Sequence, residues 1–391
     1  MQKNMAHRQN IQAHALARFP YDVDHNLLAS GYASGFADSI AKTYNAFGDE
    51  QSRNLFNAAL SFSVTRNFSV MDEYFDQYLP SYEEQMLPLL PNIVNDPDAK
   101  LYIFGAGVVF WYVRQCLPNI KWQGVIDNYF GKSGNILCGL PLLRFDEFMD
   151  QYTNNTYIGI AVSDAKVRTA IREQITNANF DYDKCCFDLV PIMTEVNKVC
   201  ERQYFELPQL THSPNETFVD CGAYDGATSA EFIKWCDGKY KGIFAFEPDK
   251  RQLNLIRENL RSAHDVKLFE YGCSNKTETL SFFSNIPSQF SAADDKQNAG
   301  NVLIKVACMD ELLKDEKITF IKMDIEGAEY NALLGAEHII RENKPKLAIC
   351  IYHRPGDIVK IPQLIHSFRR DYVFYLRHPF YSSSQTVLFA I

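Results

Sequence analysis

The chain has 391 residues, 46% hydrophobic and 22% charged, a balance that excludes an intrinsically disordered protein and leaves room for two or three globular domains. A formal net charge of −9 argues against a sequence-independent nucleic-acid binder, which needs a basic surface to neutralise phosphates. No apolar run has the length of a bilayer-crossing helix, and residues 1–10 lack the basic-then-apolar order of a secretory leader.

None of the ten cysteines forms a C-x-x-C pair, so a structural zinc site is not expected. Several stand in apolar runs, such as Cys350 in LAICIY, as reduced thiols do, and the expected location is the cytoplasm.

Residues 1–94 read as a helical segment rich in Phe and Tyr. Within it, residues 49–66 place Leu55, Ala58, Ala59 and Phe62 on one helical stripe, with Asp49 as the N-cap. The cluster PNIVNDPDAK, residues 91–100, is a turn. Strands are then expected at 101–104, near 123–126 and at 157–162, with a helix after Gly105-Ala106-Gly107, so that residues 95–192 form an α/β domain with a parallel sheet. Residues 193–214 read as a linker.

From 215 to 391 the alternation is clearer. Strands are expected at 217–220, 242–246, 266–271, 319–323, 346–352, 372–377 and 385–390, with helices between most of them. The last two have no helix between them and can pair antiparallel at the end of an otherwise parallel sheet.

Four motifs in this block fall at strand ends, where open α/β sheets bind ligands. In FVDCGAYDGATS, a strand ending in Asp220 runs into a turn in which Gly222 and Gly226 let the backbone bend and approach a ligand. The spacing is G-x-x-x-G, and the carboxylates of Asp220 and Asp225 would repel a pyrophosphate. They suit a ligand with an amino group and a sulfonium, such as S-adenosylmethionine. Glu247, just before Pro248, ends the second strand and could accept hydrogen bonds from ribose hydroxyls. In IKMDIEGAE, Lys322, Asp324 and Glu326 alternate, which puts them on one face if the strand continues that far. A core-facing helix follows, with Leu333, Ala336, Ile339 and Ile340 on one stripe. The bland alternative for Lys322 is a salt bridge to one of the carboxylates. His353 lies just past the fifth strand, at the same sheet edge, and can act as a general base.

The ordered series VDCGAYDG, FEPD, YGCSN, KMDIEGAE and IYH resembles the FkbM family of S-adenosylmethionine-dependent methyltransferases. The resemblance covers roughly residues 215–391 and is most specific in KMDIEGAE. It implies a class I methyltransferase sheet of Rossmann-like type, mostly parallel with an antiparallel C-terminal strand. It also implies methyl transfer to a hydroxyl of a sugar, surface polysaccharide or related secondary metabolite. By the same resemblance, Asp220, Gly222, Ala223, Tyr224, Asp225 and Gly226 would form the cofactor turn, and Glu247 and Pro248 would face the ribose. Cys273, Ser274 and Asn275 would sit near the adenine, with Asp324 and Glu326 near the transferred methyl and the acceptor.

The middle block, IFGAGVVFWYVRQ with GVIDN and GLPLLRFDEF, is similar to smaller Rossmann-like domains of sugar-modifying proteins. Gly105 and Gly107 match a dinucleotide fingerprint, Phe110 replaces its third glycine, and Asp127 follows about 20 residues on, as a ribose-binding acid would. A second nucleotide site is one reading of it, and a structural role is the other.

For the chemistry, His353 is the first candidate base and Asp324 the second. Lys322, or a divalent ion held by Asp324 and Glu326, could stabilise the developing alkoxide. Two rival functions remain open at this point: a non-catalytic nucleotide-sugar-binding scaffold, and an NAD-linked sugar oxidoreductase that uses the middle domain. The expected partner is a small molecule or glycan, with no nucleic acid and no membrane span. The oligomeric state stays open, a homodimer included.

Overall fold

The computed structural model describes residues 36–65, 68–79, 82–131, 134–286, 289–291, 301–354, 356–380 and 385–391. These divide into two compact units, one of residues 79–199 and one that joins residues 36–78 to 200–391. The expected helical segment 1–94 is therefore split. Its residues 1–35 lie outside the described residues, and its helices between 36 and 78 belong with the C-terminal unit. Among the described residues no helix is long and apolar enough to cross a membrane.

The first unit holds strands β1 (Lys100–Phe104), β2 (Trp122–Ile126), β3 (Ile136–Leu137), β4 (Leu140–Leu143), β5 (Thr156–Ile160) and β6 (Cys186–Asp188). Their order is β3-β4-β2-β1-β5-β6, parallel throughout except for the β3–β4 hairpin. Tyr102, Phe104, Ile126, Ile158 and Ile160 meet Phe145, Phe148, Ile171 and Ile175 in one core. Burying each such side chain is worth about 1.5–3 kcal/mol. The helix Ala165–Asn177 begins where it does because Asp164 accepts a hydrogen bond from the Val167 amide. The three expected strands are present, whereas β4 and β6 span too few residues to show a periodicity of their own.

The second unit is built on β7 (Thr217–Cys221), β8 (Gly242–Phe246) and β9 (Val266–Phe269), then β10 (Gly272–Cys273), β11 (Glu278–Ile286), β12 (Gln289–Ser291) and β13 (Asn301–Ala307). It continues with β14 (Phe320–Met323), β15 (Lys346–Cys350), β16 (Phe374–Arg377) and β17 (Val387–Ala390). Seven strands form the main sheet in the order β9-β8-β7-β14-β15-β17-β16. Only β17 runs against the rest, and it inserts between β15 and β16 instead of extending the edge. Strands β10 to β13 form a separate small sheet in the order β10-β13-β11-β12, an excursion that the strand reading did not anticipate. The seven expected strands of the main sheet all occur, each within two residues of its expected limits.

The expected helix after Gly327 is two helices, Glu329–Leu334 and Glu337–Asn343. They break at Gly335, where a Cβ would lie 2.1 Å from the Ser274 carbonyl oxygen. The apolar stripe survives the break, with Leu333, Ala336, Ile339 and Ile340 all buried.

Residues 193–214 are not a linker. The helix Val190–Arg202 runs through the first half, and Tyr204, Phe205, Leu207 and Leu210 enter the main core beside Phe218, Phe232 and Phe320. The Phe205 ring lies 5.7–6.2 Å from the rings of Phe218, Phe232, Trp235 and Phe320.

The helix Glu50–Thr65 packs on the edge strand β16, with Asp49 accepting from the Ser52 amide as its cap. Gly48 donates to the Phe374 carbonyl, the Phe374 amide donates to Ala46, and the Leu376 amide donates to Ser52 Oγ. The edge is thus closed to other strands. Leu55, Phe56, Phe47 and Phe374 are buried beneath this strap.

Phe205→Ala is expected to destabilise the second unit by about 3–5 kcal/mol. Lys250→Ala, at an exposed ion pair, is expected to leave stability essentially unchanged. Urea titration of the two variants checks this, and equal effects would refute the packing role of Phe205.

Candidate active site

At the end of β7 the chain turns at Gly222, with φ +80°, and a Cβ there would lie 2.1 Å from the Asp324 carbonyl oxygen. No other residue fits that approach. The amides of Gly222 and Ala223 donate to the Phe246 carbonyl at 3.0 and 3.1 Å, which ties the turn to the end of β8. Tyr224 has φ +50° and its side chain is half exposed, whereas Ala223 is buried. Gly226, with φ +86°, opens the helix Ala227–Trp235, and Asp225 accepts from the Ala227 amide.

Glu247 follows β8 and reaches back to this turn. Its Oε2 accepts from the Tyr224 amide at 3.0 Å and its Oε1 from the Asp249 amide at 2.8 Å. Burial pushes its carboxyl up to about 7, against the two amides that favour the charged form. Pro248 separates it from Asp249, the N-cap of the helix Lys250–Asn259. Cys273 ends β10 and is buried. The Ser274 amide donates to Ala307, and Ser274 Oγ bonds Asn275.

Asp220 is fully buried and both of its oxygens are taken, one by Lys322 Nζ at 3.1 Å and the other by Ser229 Oγ at 2.7 Å. Asp220 therefore does not face a ligand as a cofactor acid would; it organises the turn from inside. Lys322 Nζ also reaches the Gly222 carbonyl at 2.8 Å and the Cys221 carbonyl at 3.4 Å. The Tyr204 ring lies 5.4 Å from this nitrogen. Burial works against the ammonium, but Asp220 and Asp324 outweigh it and hold Lys322 above its ordinary range. The expectation that Lys322 stabilises an alkoxide is corrected: its three donors are spent in the interior, and the salt-bridge alternative holds.

The alternation of Lys322, Asp324 and Glu326 does not continue, because β14 stops at Met323 and the chain turns at Glu326 (φ +55°) and Gly327 (φ +94°). Asp324 lies at the sheet edge, accepting from Tyr204 Oη at 2.9 Å and Tyr352 Oη at 3.2 Å. Burial would raise its carboxyl, but Lys322, His353 and the two hydroxyls hold it below the usual range. His353 stands among carboxylates. Its Nε2 is 3.4 Å from Asp324 Oδ1 and 3.6 Å from Glu326 Oε2, and its Nδ1 is 2.8 Å from Glu329 Oε1. Burial disfavours the charged ring, yet Glu329, Asp324 and Glu326 raise it to about 9. Burial raises Glu326 in turn.

Sequence reasoning missed Tyr204, Tyr352 and Glu329. The signal for Glu329 was present, as the last acid of KMDIEGAE. Tyr204, in the apparent linker, gave none.

Asp324, Glu329 and His353 offer ligand atoms within 4.8 Å of one another. However, Glu329 faces Nδ1 and Asp324 faces Nε2, so no single ring nitrogen looks toward both carboxylates. The carboxylates thus flank the ring on opposite sides instead of converging on one point, and no metal is assigned.

In the first unit, Gly105 has φ +111°, and a Cβ there would lie 2.8 Å from the Ala161 carbonyl oxygen. Gly107 opens the helix Val108–Cys116 with open space at its Cα. Asp127 accepts from the amides of Ala106, Tyr129 and Phe130 at 2.8–2.9 Å, so its carboxylate braces the turn.

Asp220→Asn removes the hydrogen-bonded counter-charge of the buried Lys322, leaving only the more distant Asp324, and is expected to cost about 3–5 kcal/mol. Adding Lys322→Met should recover most of the loss in thermal unfolding. A single variant as stable as the parent would refute the pairing.

Residues 220–374 match the family model described as the methyltransferase FkbM domain. The chain is 21% identical over 159 residues to the 2-O-methyltransferase NoeI of Sinorhizobium fredii (strain NBRC 101917 / NGR234), a match that covers 36% of this chain and 65% of that protein. The chain thus spans about two thirds of the length of this curated relative. Among solved structures, methyltransferase FkbM from Methylobacillus flagellatus KT is similar at 22% identity and a TM-score of 0.46, over 88% of this chain and 99% of that one. Aeropyrum pernix fibrillarin, solved with S-adenosyl-L-methionine, is similar at 10% identity and a TM-score of 0.31, over 50% of this chain and 74% of that one. The turn after β7, the acid after β8 and the KMDIEGAE turn thus stand at the strand ends of a domain, residues 220–374, that is similar to the methyltransferase FkbM domain.

Proposed function

We propose that this domain is an S-adenosylmethionine-dependent O-methyltransferase acting on a hydroxyl of a sugar, surface polysaccharide or related secondary metabolite. The observation that carries the reading is the juxtaposition at one sheet edge of a glycine turn braced by Glu247 and an imidazole beside Asp324. The charge of this edge favours a cationic cofactor over a dinucleotide: Asp225, Glu247, Asp324 and Glu326 all lie on it, and a pyrophosphate would be repelled. The name of the curated relative, a 2-O-methyltransferase, supports a hydroxyl acceptor.

The turn from Gly222 to Gly226, Glu247, Pro248 and residues 273–275 would hold the cofactor, with Asp324 toward the acceptor. When bound, S-adenosylmethionine supplies a methyl group already activated on a sulfonium. The protein has two tasks left: to place the acceptor hydroxyl and to take its proton. His353 Nε2 is the atom that takes the proton, and Asp324 and Glu326 stabilise the imidazolium that results. A ring that titrates at about 9 is mostly charged at neutral pH, so it must first give up a proton to act as a base.

Calorimetric titration of the whole chain with S-adenosylhomocysteine, with NADH as control, tests the reading. Binding of the first and not the second is expected, with loss in Glu247→Ala. Binding of NADH alone would overturn it. Affinity for S-adenosylhomocysteine should rise between pH 6 and 8. Glu247 titrates at about 7, and only the carboxylate can accept from both ribose hydroxyls. Glu247→Gln should flatten that dependence.

His353→Ala should lower transfer of a radiolabelled methyl group to sugar acceptors by about 10²–10⁴-fold and leave cofactor affinity unchanged. The parent rate should climb with pH toward 9. A variant as fast as the parent at saturating acceptor would remove His353 from the mechanism.

A further inference from the structure

Glu329 has no part in binding or proton transfer as described above, yet it is among the most deeply placed acids of the chain. It is fully buried, and its Oε1 receives the Ile325 amide at 2.9 Å while lying 2.8 Å from His353 Nδ1. Its Oε2 is buried with no hydrogen-bond partner among the described residues, and His353 Nδ1, within reach of Oε1, is buried with no other partner and no well-directed bond to it. A carboxylate in such a place is costly unless something needs its charge. The Ile325 amide belongs to the turn after β14 that carries Asp324 and Glu326, and His353 belongs to the loop after β15. One carboxylate thus joins the two loops that meet at the acceptor side.

We propose that Glu329 is a positioning residue for the base: by holding Nδ1–H it fixes the neutral imidazole in the tautomer whose bare Nε2 faces Asp324, Glu326 and the acceptor. This rests on the reading of His353 as the base. A neutral imidazole has one donor nitrogen and one acceptor nitrogen, and the partner of one decides the role of the other. With Nδ1–H given to Glu329, only Nε2 can receive a proton, and Nε2 is the nitrogen on the side of Asp324 and Glu326. The opposite tautomer would point a hydrogen at the acceptor and leave Glu329 facing a lone pair.

A residue that only filled space would serve as well without charge. The surroundings of the ring argue that the charge matters. Asp324 and Glu326 face Nε2, and the Tyr352 ring lies against the imidazole at 4.1 Å between centroids. Lys322 acts on Asp324 from the interior. Asp357 lies near Glu329 and Arg354, and burial and Glu329 push its carboxyl up to about 7, so near neutrality it adds only part of a charge.

The test is nuclear magnetic resonance of the full chain with labelled histidine, which reads protonation and tautomer directly and needs no acceptor. His353→Gln assigns the signal among the nine histidines. In the parent, the neutral ring of His353 should be the Nδ1–H tautomer. In Glu329→Gln, its midpoint should fall by about 1–3 pH units, with S-adenosylhomocysteine affinity unchanged. An unchanged midpoint in E329Q, or an Nε2–H tautomer in the parent, overturns the proposal. Where E329Q does not fold, the parent tautomer alone decides between the same two results. Failure of the parent to bind S-adenosylhomocysteine would instead sink the methyltransferase reading, and the comparison of midpoints would still stand.

Discussion

The site depends on one buried ion pair. Lys322 and Asp220 sit opposite each other on neighbouring strands β14 and β7, at the centre of the main sheet. Neither charge could stay there alone. Together they draw in the Gly222 carbonyl and Ser229, and so set the start of the glycine turn and of the helix that follows it. The contact between Gly222 and the Asp324 backbone then holds the glycine turn against the turn after β14. Every other feature of the site is placed relative to that join.

Both units of the chain solve the same local problem in the same way. In each, an acid just past the second strand accepts from a backbone amide in the turn after the first: Glu247 from Tyr224, and Asp127 from Ala106. The two differ in what remains. Asp127 is committed to three amides of its own surroundings. Glu247 accepts two and is reluctant to ionise, so an added donor would stabilise its charged form. The two turns thus share a geometry and differ in how their acids are satisfied.

The sequence was most legible where physical constraints are local. Strands of the main sheet announce themselves as short apolar runs between turns, and the glycines at Gly222 and Gly226 mark positions where φ must be positive. Asp49 reads as a cap because capping is a matter of two or three residues. What could not be read was whatever depends on distant partners. The role of Lys322 turned on Asp220, a hundred residues away in sequence but its neighbour in the sheet. Tyr204 looked like linker because its partners, Asp324 and the core around Phe218, come from the rest of the domain. Gly335 falls within the expected single helix, and only the approach of Ser274 shows why the helix stops there.

The division of the chain has a consequence for how it is made. The strap on β16 comes from residues near 50, whereas β16 and β17 come from 374–377 and 387–390, with the whole first unit encoded between them. On a ribosome adding about 5–20 residues per second, helix Glu50–Thr65 emerges tens of seconds before the strand it covers. During that interval Leu55 and Phe56 have no final resting place, while the inserted unit can already close its own sheet. The order of synthesis therefore runs inside out: the insert matures first, and its host must wait with one apolar face bare. Shielding that face in the meantime is a task for chaperones or for transient contacts within the nascent chain.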